Sequence, residues 1–129
     1  HNSEIQQEID KLSKKKFSFT FTPHLIPMFR GILSTIYLDL NKGVNIKKLE
    51  KTLITEYSKS RFVKILKLNT LISTNDVINT NNCYLSICRT KYKNRVIILS
   101  TIDNLIKGGA GQAIQNMNLK FNFPEAKGL

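Results

Sequence analysis

Three glycines lie close together in the segment NLIKGGAGQAIQNMN, positions 104–118. The segment follows a strand pattern ending at Ile102–Asp103 and begins a pattern typical of a helix. It lacks the Lys-Ser/Thr pair of a nucleotide P-loop, and its glycines do not fit the dinucleotide fingerprint GxGxxG. Small residues in a first helical turn let a ligand or another domain approach the backbone, where N–H groups favour an anion. A small-residue helix packed on its own sheet is the alternative, and the residues alone leave both open.

A second segment that could do chemistry is FTPHLIPMFRGI, residues 21–32. Its two prolines make a rigid loop, which suits a binding site. The loop presents His24 and Arg30. The planar guanidinium of an arginine makes two parallel hydrogen bonds to a carboxylate or phosphate, so Arg30 is a candidate anion ligand. A structural histidine at 24 and a surface salt bridge at 30 remain the alternatives.

The two cysteines, Cys83 and Cys88, are five residues apart in a strand pattern. An odd spacing puts them on opposite faces of a strand, which predicts that they form no disulfide. With the two histidines they match no zinc-ligand spacing, so we predict no metal site. No apolar run approaches a membrane span and no secretory signal pattern occurs, so we expect a cytoplasmic protein.

The net charge of +11 raises the question of nucleic acid. Lysine, asparagine and isoleucine are over-used together, which is typical of an AT-rich genome, and the lysines are scattered apart from the run at 14–16. We therefore interpret the charge as a solvated face. A basic nucleic-acid-binding α+β module is the alternative. It would need aromatic residues interleaved with Lys/Arg on an exposed sheet face, whereas Phe17, Phe19 and Phe21 alternate with small polar residues.

The periodicity of the apolar residues predicts a single α+β domain of 129 residues. Helices are expected at 3–13, at 46–57 with Asn45 as the cap, and from Gly109 to Pro124, the last burying Ala110, Ala113, Ile114, Met117 and Phe121. Strands are expected at 17–21, 31–40, 61–66, 83–90 and 95–103, the last two forming a hairpin, with a loop at 69–82. These elements predict an antiparallel or mixed sheet with helices packed on one face.

The segments FTPHLIPMFRGI and IDNLIKGGAGQAIQNMNL together resemble the N-acetyl-gamma-glutamyl-phosphate reductase family. The Asp-Asn-Leu-x-Lys-Gly core is shared with aspartate-semialdehyde dehydrogenases, so the specific parts are GQAIQNMN and FTPHLIPM. HNSEI, TNNCYLSI and FNFPE match further family segments in the family's order. The resemblance therefore runs from one end of the chain to the other.

The resemblance implies an NADP-dependent reductase of two domains. An N-terminal Rossmann domain binds NADP(H), and a C-terminal α+β domain, similar to that of glyceraldehyde-phosphate dehydrogenase, binds substrate and makes oligomer contacts. Residues 1–129 correspond to the C-terminal domain, incomplete at its N-terminus. Because the first residue is His1 rather than Met, we expect a piece of a longer protein. The Rossmann pattern and the family's nucleophilic cysteine are not in it, so the 129 residues alone are expected to be inactive.

The implied reaction converts N-acetyl-glutamyl 5-phosphate to N-acetyl-glutamate 5-semialdehyde in arginine biosynthesis. A related reductase acting on a longer or carrier-linked acyl phosphate, as in lysine biosynthesis, is the alternative within this class. The partners expected are the acyl-phosphate substrate, the Rossmann domain of the same enzyme and further copies in a dimer or tetramer. Nucleic acid and membrane are not expected.

The resemblance also implies roles for individual residues. The implied site residues are catalytic His1, substrate-binding His24, Arg30 and Lys107, and cofactor-binding Asn104, Gly109, Gly111 and Gln112. His1 matches the second histidine of the family's His-x-His-x-x-Glu-Ile segment and would act as acid or base. Lys107 would stabilise the substrate phosphate, and bulk at the two glycines would block the nicotinamide. Phe29 stands where the family usually has a small polar residue, so we expect it to reshape the pocket edge.

Overall fold

A computed structural model describes residues 1–13 and 17–129, which form three α-helices and four strands within those ranges. In chain order the elements are α1 (Asn2–Leu12), β1 (Ile32–Asp39), α2 (Ile46–Glu56), β2 (Val63–Ile65), β3 (Cys83–Arg89), β4 (Arg95–Ile102) and α3 (Gly111–Lys120). A 3-10 turn lies at Thr74–Asp76, and a π-turn at Ile106–Ala110 leads into α3. No helix in the described ranges has the length and apolar character needed to cross a bilayer.

The four strands form one mixed sheet in the order β1-β4-β3-β2. The central strand β4 pairs antiparallel with both β1 and β3, while β2 pairs parallel with β3. Ile98 lies opposite Ile36 on one side and Ile87 on the other. The predicted α+β class, the mixed sheet and the β3–β4 hairpin are confirmed.

The hydrophobic core lies between α2 and one face of the sheet. Ile87, Val96 and Ile98 are buried there, and Leu49 and Leu53 of α2 pack against them. These leucines are four residues apart, so they share one helix face. The helix begins where predicted, because the Asn45 side chain accepts a hydrogen bond of 2.9 Å from the Lys48 N–H. By contrast, α1 buries none of its residues.

The opposite face of the sheet is apolar and only half covered. Successive side chains of a strand point to opposite sides, so Leu33 and Tyr37 share this face with their cross-strand partners Thr101 and Ile97. Leu99 lies between those two on β4. We call Leu33, Tyr37, Ile97 and Leu99 the outer face. Leu33 and Tyr37 are exposed on it, Tyr37 at 68%.

The predicted strand at 17–21 is wrong. Phe17 and Phe21 are exposed, and this segment forms no ladder with the sheet. Instead, the Phe17 carbonyl accepts a hydrogen bond of 3.2 Å from the Gln6 side-chain amide. Alternating apolar and polar residues make a segment suitable for a β-strand. The alternation does not show whether a sheet edge lies close enough for the segment to pair with. The lysine run at 14–16 lies outside the described residues.

The stripe predicted for the last helix is also wrong. Its buried residues are Gly111, Gln115 and Asn118, whereas Met117 is 47% and Phe121 64% exposed. Asn118 is buried because its Nδ2 donates to the carbonyls of residues 125 and 127, where the chain folds back over the helix. The predicted stripe residues Ala110 and Ala113 are likewise exposed, and Ile114 is half-buried. The helix ends at Lys120, before Pro124.

Candidate functional site

An ion pair between Arg30 and Asp103 joins the end of the two-proline loop to the end of β4. Arg30 Nε lies 2.9 Å from Asp103 Oδ2, and the Asp103 side chain has no exposed area. The N–H does not point squarely at the oxygen, so charge attraction rather than an aligned hydrogen bond holds the contact. The predicted strand end at Ile102–Asp103 thus places a buried carboxylate beside the predicted anion ligand.

The Asp103 carboxylate is surrounded by donors. Its Oδ2 accepts the Asn79 N–H at 2.8 Å, and its Oδ1 accepts the N–H groups of Leu105 at 2.8 Å and Ile106 at 2.9 Å. Burial alone would raise the pKa of Asp103. The Asn79 and Ile106 N–H groups, the Arg30 guanidinium and the Leu105 N–H outweigh burial and lower this pKa to about 2. Asp103 is therefore a charged hub that joins three loops.

Gly31, next to Arg30, fixes where the loop meets the sheet. It has φ +104°, and a Cβ added there would lie 2.6 Å from Thr74 Cβ, so the position requires glycine. Its N–H donates to Asn104 Oδ1 at 2.7 Å. The Thr74 hydroxyl donates to Met28 Sδ at 3.7 Å. Arg30 is thus held between β1, the 3-10 turn and the start of the glycine segment.

Lys107 is engaged inside the domain. Its ammonium donates to Gln115 Oε1 at 2.7 Å and lies 5.6 Å from the centre of the Phe62 ring. Burial lowers the pKa of Lys107, and Cys83 and Glu125 oppose that shift. The side chain of Lys107 is thus bound to Gln115, while that of Arg30 is bound to Asp103.

The two glycines expected to keep room for the nicotinamide behave differently. A Cβ at Gly109 would meet only the Asn104 carbonyl, at 3.4 Å. A Cβ at Gly111 would lie 2.5 Å from Asn81 Oδ1 and 2.8 Å from the Ile106 carbonyl oxygen. The expectation that Gly111 is kept small for an approaching domain is therefore corrected, because Gly111 is needed for packing within this chain.

The remaining predicted site residues lie at the surface. His1 Nδ1 lies 3.2 Å from Glu4 Oε2, and its ring meets the Phe21 ring edge-on at 6.2 Å. His24 is exposed, with Nδ1 3.1 Å from the Thr22 carbonyl oxygen. The Gln112 amide, at the start of α3, donates to Asn116 Oδ1 at 2.9 Å. The side chain of Phe29 is 98% exposed, so it packs on nothing within the described residues.

Residues 1–104 match the family model described as "Semialdehyde dehydrogenase, dimerisation domain". The chain belongs to this family. It is 46% identical over 129 residues to the N-acetyl-gamma-glutamyl-phosphate reductase of Vesicomyosocius okutanii, a match that covers the whole chain and 36% of that protein. It is 41% identical over 129 residues to the probable chloroplastic N-acetyl-gamma-glutamyl-phosphate reductase of Arabidopsis thaliana, covering the whole chain and 32% of that protein.

The protein of the same name from Clostridium beijerinckii is 43% identical over 129 residues, covering the whole chain and 38% of that protein. The resemblance inferred from the sequence segments is confirmed. The chain spans about a third of the length of these relatives.

Several polar residues of the chain were not predicted as part of the site. Asn79 and Asn81 lie in the Asn-rich segment interpreted as a loop, and Gln115 lies in the helix whose apolar residues were expected to be buried. Asn81 Nδ2 donates to Gln115 Oε1 at 2.9 Å, and Gln115 Nε2 donates to Glu125 Oε1 at 2.7 Å. The one sequence signal was the position of Asp103, at a strand end directly before the glycine segment.

The lowered pKa of Asp103 predicts an acid-sensitive element in the dimerisation domain. Its ordinary value is 3.8 and its folded value about 2. The Asp103 contribution to the free energy of unfolding is thus complete above about pH 4 and is lost as the pH falls through about 2. We expect the side-chain carboxyl carbon to titrate in NMR with a midpoint near 2. A midpoint at or above 3.8 contradicts the described hydrogen bonds.

Proposed function

We propose that the protein containing this domain is an NADP-dependent reductase of arginine biosynthesis that converts N-acetyl-glutamyl 5-phosphate to N-acetyl-glutamate 5-semialdehyde. The observation that carries the proposal is the identity of 41% to 46%, over the whole chain, with proteins named N-acetyl-gamma-glutamyl-phosphate reductase. Because the chain spans about a third of their length, the activity belongs to a longer protein. The proposed location is the cytoplasm.

In this reaction the domain contributes the substrate side of the site. Arg30 carries a fixed positive charge at the edge of the sheet, suited to an acyl-phosphate oxygen. His1, at the start of α1, has an exposed imidazole for proton transfer. His24 lies on the same exposed loop as Arg30 and would contact substrate there. Lys107 would join them only by giving up its hydrogen bond to Gln115.

The residues of the glycine segment fit a nicotinamide cofactor held mainly by another domain. NADPH, when bound, supplies the hydride of such a reduction. Gly109 leaves open space beside the backbone. Asn104 and Gln112 lie on either side of it in the sequence, and their amide groups keep hydrogen-bonding capacity beyond the bonds with the Gly31 N–H and Asn116. Gly111 is not part of this proposal, because its small size serves the packing against Asn81.

The function is tested by assaying the full-length protein and the 129-residue chain in parallel. We expect the full-length protein to oxidise NADPH only when N-acetyl-glutamyl 5-phosphate is present, and the 129-residue chain to give no turnover. Aspartyl phosphate serves as the control substrate, because the Asp-Asn-Leu-x-Lys-Gly core is shared with aspartate-semialdehyde dehydrogenases. Faster turnover of aspartyl phosphate, or turnover by the short chain, would overturn the proposal.

We also propose that the domain joins copies of the enzyme through the outer face. The matched family model is named for dimerisation, and Leu33 and Tyr37 leave apolar area exposed on this face. A second copy of the same face would cover that area, as a two-fold interface requires. On the opposite face, α2 covers Ile87, Val96 and Ile98, although Ile32 and Ile36 of β1 are exposed there.

A Leu33→Arg variant is expected to weaken self-association about ten-fold or more, because it puts an unpaired charge into an apolar interface. Sedimentation equilibrium of the full-length protein measures the effect. Ile54→Arg is the matched control: Ile54 is 50% exposed on α2, compared with 47% for Leu33 on the outer face. Equal weakening in the two variants, or none in Leu33→Arg, would remove the outer face as the interface.

A further inference from the structure

We propose that Asp103 is a positioning residue that holds the Arg30 guanidinium by its Nε edge and leaves the Nη edge available to bind an anionic oxygen of the substrate. The choice of an acyl phosphate as that substrate rests on the proposed function. The geometry that supports the positioning role lies entirely within this domain.

The two carboxylate oxygens of Asp103 already accept backbone hydrogen bonds, so they cannot also form a two-bond fork with the guanidinium of Arg30. Oδ1 accepts two backbone N–H groups, from Leu105 and Ile106. Oδ2 accepts the Asn79 N–H and lies 2.9 Å from Arg30 Nε. A two-bond fork with a guanidinium needs one oxygen for each of two nitrogens. Asp103 therefore restrains Arg30 through one nitrogen.

The other arginine–aspartate pair of the domain shows the contrast. Arg95 places Nε 2.7 Å from Asp39 Oδ1 and Nη2 3.0 Å from Asp39 Oδ2, so both carboxylate oxygens engage the guanidinium. That pair is exposed at the start of β4. Asp39 thus binds both Nε and Nη2 of its arginine, whereas Asp103 contacts Arg30 through Nε alone.

Nε is the one Arg30 nitrogen that is fully buried without an aligned hydrogen bond, and the side chain keeps 20% of its surface exposed. No Nη atom donates a hydrogen bond to a described residue, so the exposed part of the guanidinium is open to a ligand. A guanidinium that has lost most of its water needs acceptors for its remaining N–H groups. An anionic oxygen from a ligand would satisfy them. The Asp103 hub also ties Arg30 to residue 79 and to the glycine segment, so the ligand would sit where these loops meet.

Inorganic phosphate is the probe for a direct test by calorimetry on the full-length protein. We expect Arg30→Ala and Asp103→Asn each to weaken phosphate binding about ten-fold, and the double variant to be no weaker than Arg30→Ala. Non-additivity is expected because Asp103 acts through Arg30. Asp39→Asn is the matched control and should bind phosphate as the wild type does. Wild-type affinity in Asp103→Asn, or additive losses in the double variant, would overturn the proposal.

Chemical rescue separates positioning from a general loss of structure. Methylguanidinium added to Arg30→Ala should restore most of the roughly ten-fold loss of phosphate affinity, because the position beside Asp103 Oδ2 that Arg30 Nε occupied is vacated. The same addition to the Arg30→Ala, Asp103→Asn double variant should restore nothing. Equal rescue in both proteins, or none in Arg30→Ala, contradicts the positioning role. Phosphate binding is measured without turnover. If the wild-type protein shows no reductase activity, the proposed function is wrong, but the phosphate affinities still decide whether Asp103 positions Arg30.

Discussion

A Gly111→Val variant is expected to lose about 3 kcal/mol of folding stability, which lowers the thermal midpoint by roughly 10 °C. The first added carbon would already lie 2.5 Å from Asn81 Oδ1 and 2.8 Å from the Ile106 carbonyl oxygen. The Ile106 carbonyl belongs to the backbone of the π-turn and cannot rotate away as a side chain can. The relief must therefore come from a shift of the turn or of α3.

The matched control is Ala113→Val, which adds the same branched group to an exposed position of the same helix. It carries the helix-propensity cost of valine, a few tenths of a kcal/mol, without the contact. Thermal melts of both variants, together with the NADPH affinity of the full-length protein, separate the two explanations for Gly111. A near-normal midpoint with sharply weakened NADPH binding in Gly111→Val would restore the view that the position faces the cofactor.

The parts of the fold that were predicted correctly depend on signals within one short segment. The cap of α2 needs only Asn45 and the Lys48 N–H three residues later, and its core face needs only the spacing of Leu49 and Leu53. The β3–β4 hairpin joins neighbouring strands through a short turn. These patterns are local, and even the hairpin extends only from Cys83 to Ile102.

The errors arise where distant residues decide. The segment 17–21 alternates like a strand but reaches no sheet edge. In α3 the apolar residues were expected to be buried, yet the polar side chains of Gln115 and Asn118 are buried because Asn81 and the chain after the helix supply their hydrogen bonds. Composition and periodicity cannot show that a buried polar group has found its partners.

The candidate site divides in the same way. Arg30 and the glycine segment were found because two prolines and three glycines mark them locally. Asp103 was not predicted as the partner of Arg30, since the contact joins positions far apart in the chain. The same holds for the bond from the Gly31 N–H to Asn104, which spans 73 residues. Packing within the chain was one of the two explanations left open for Gly111, but its contact Asn81 was not predicted, because that residue belongs to a loop with no periodic pattern.

In the full-length enzyme, Arg30→Ala is expected to raise KM for N-acetyl-glutamyl 5-phosphate about 10- to 150-fold, the equivalent of one lost charge-assisted hydrogen bond of about 1.5–3 kcal/mol. KM for NADPH should change far less, because Arg30 lies on the loop before β1 and touches the glycine segment only through Asp103. Steady-state kinetics with each substrate varied in turn gives both constants from one preparation.

Two further variants sharpen the Arg30 experiment. Arg30→Lys keeps the charge but not the planar fork, so it should recover only part of the loss if a substrate oxygen binds the Nη edge. Arg95→Ala removes the exposed guanidinium paired with Asp39 and should leave both constants near the wild-type values. If Arg30→Ala instead raises both KM values equally, the guanidinium serves to hold the loop against Asp103. In that case the Nη atoms of Arg30 do not bind the acyl phosphate. Loss of a residue that contacts only the acyl phosphate would not raise KM for NADPH by the same factor.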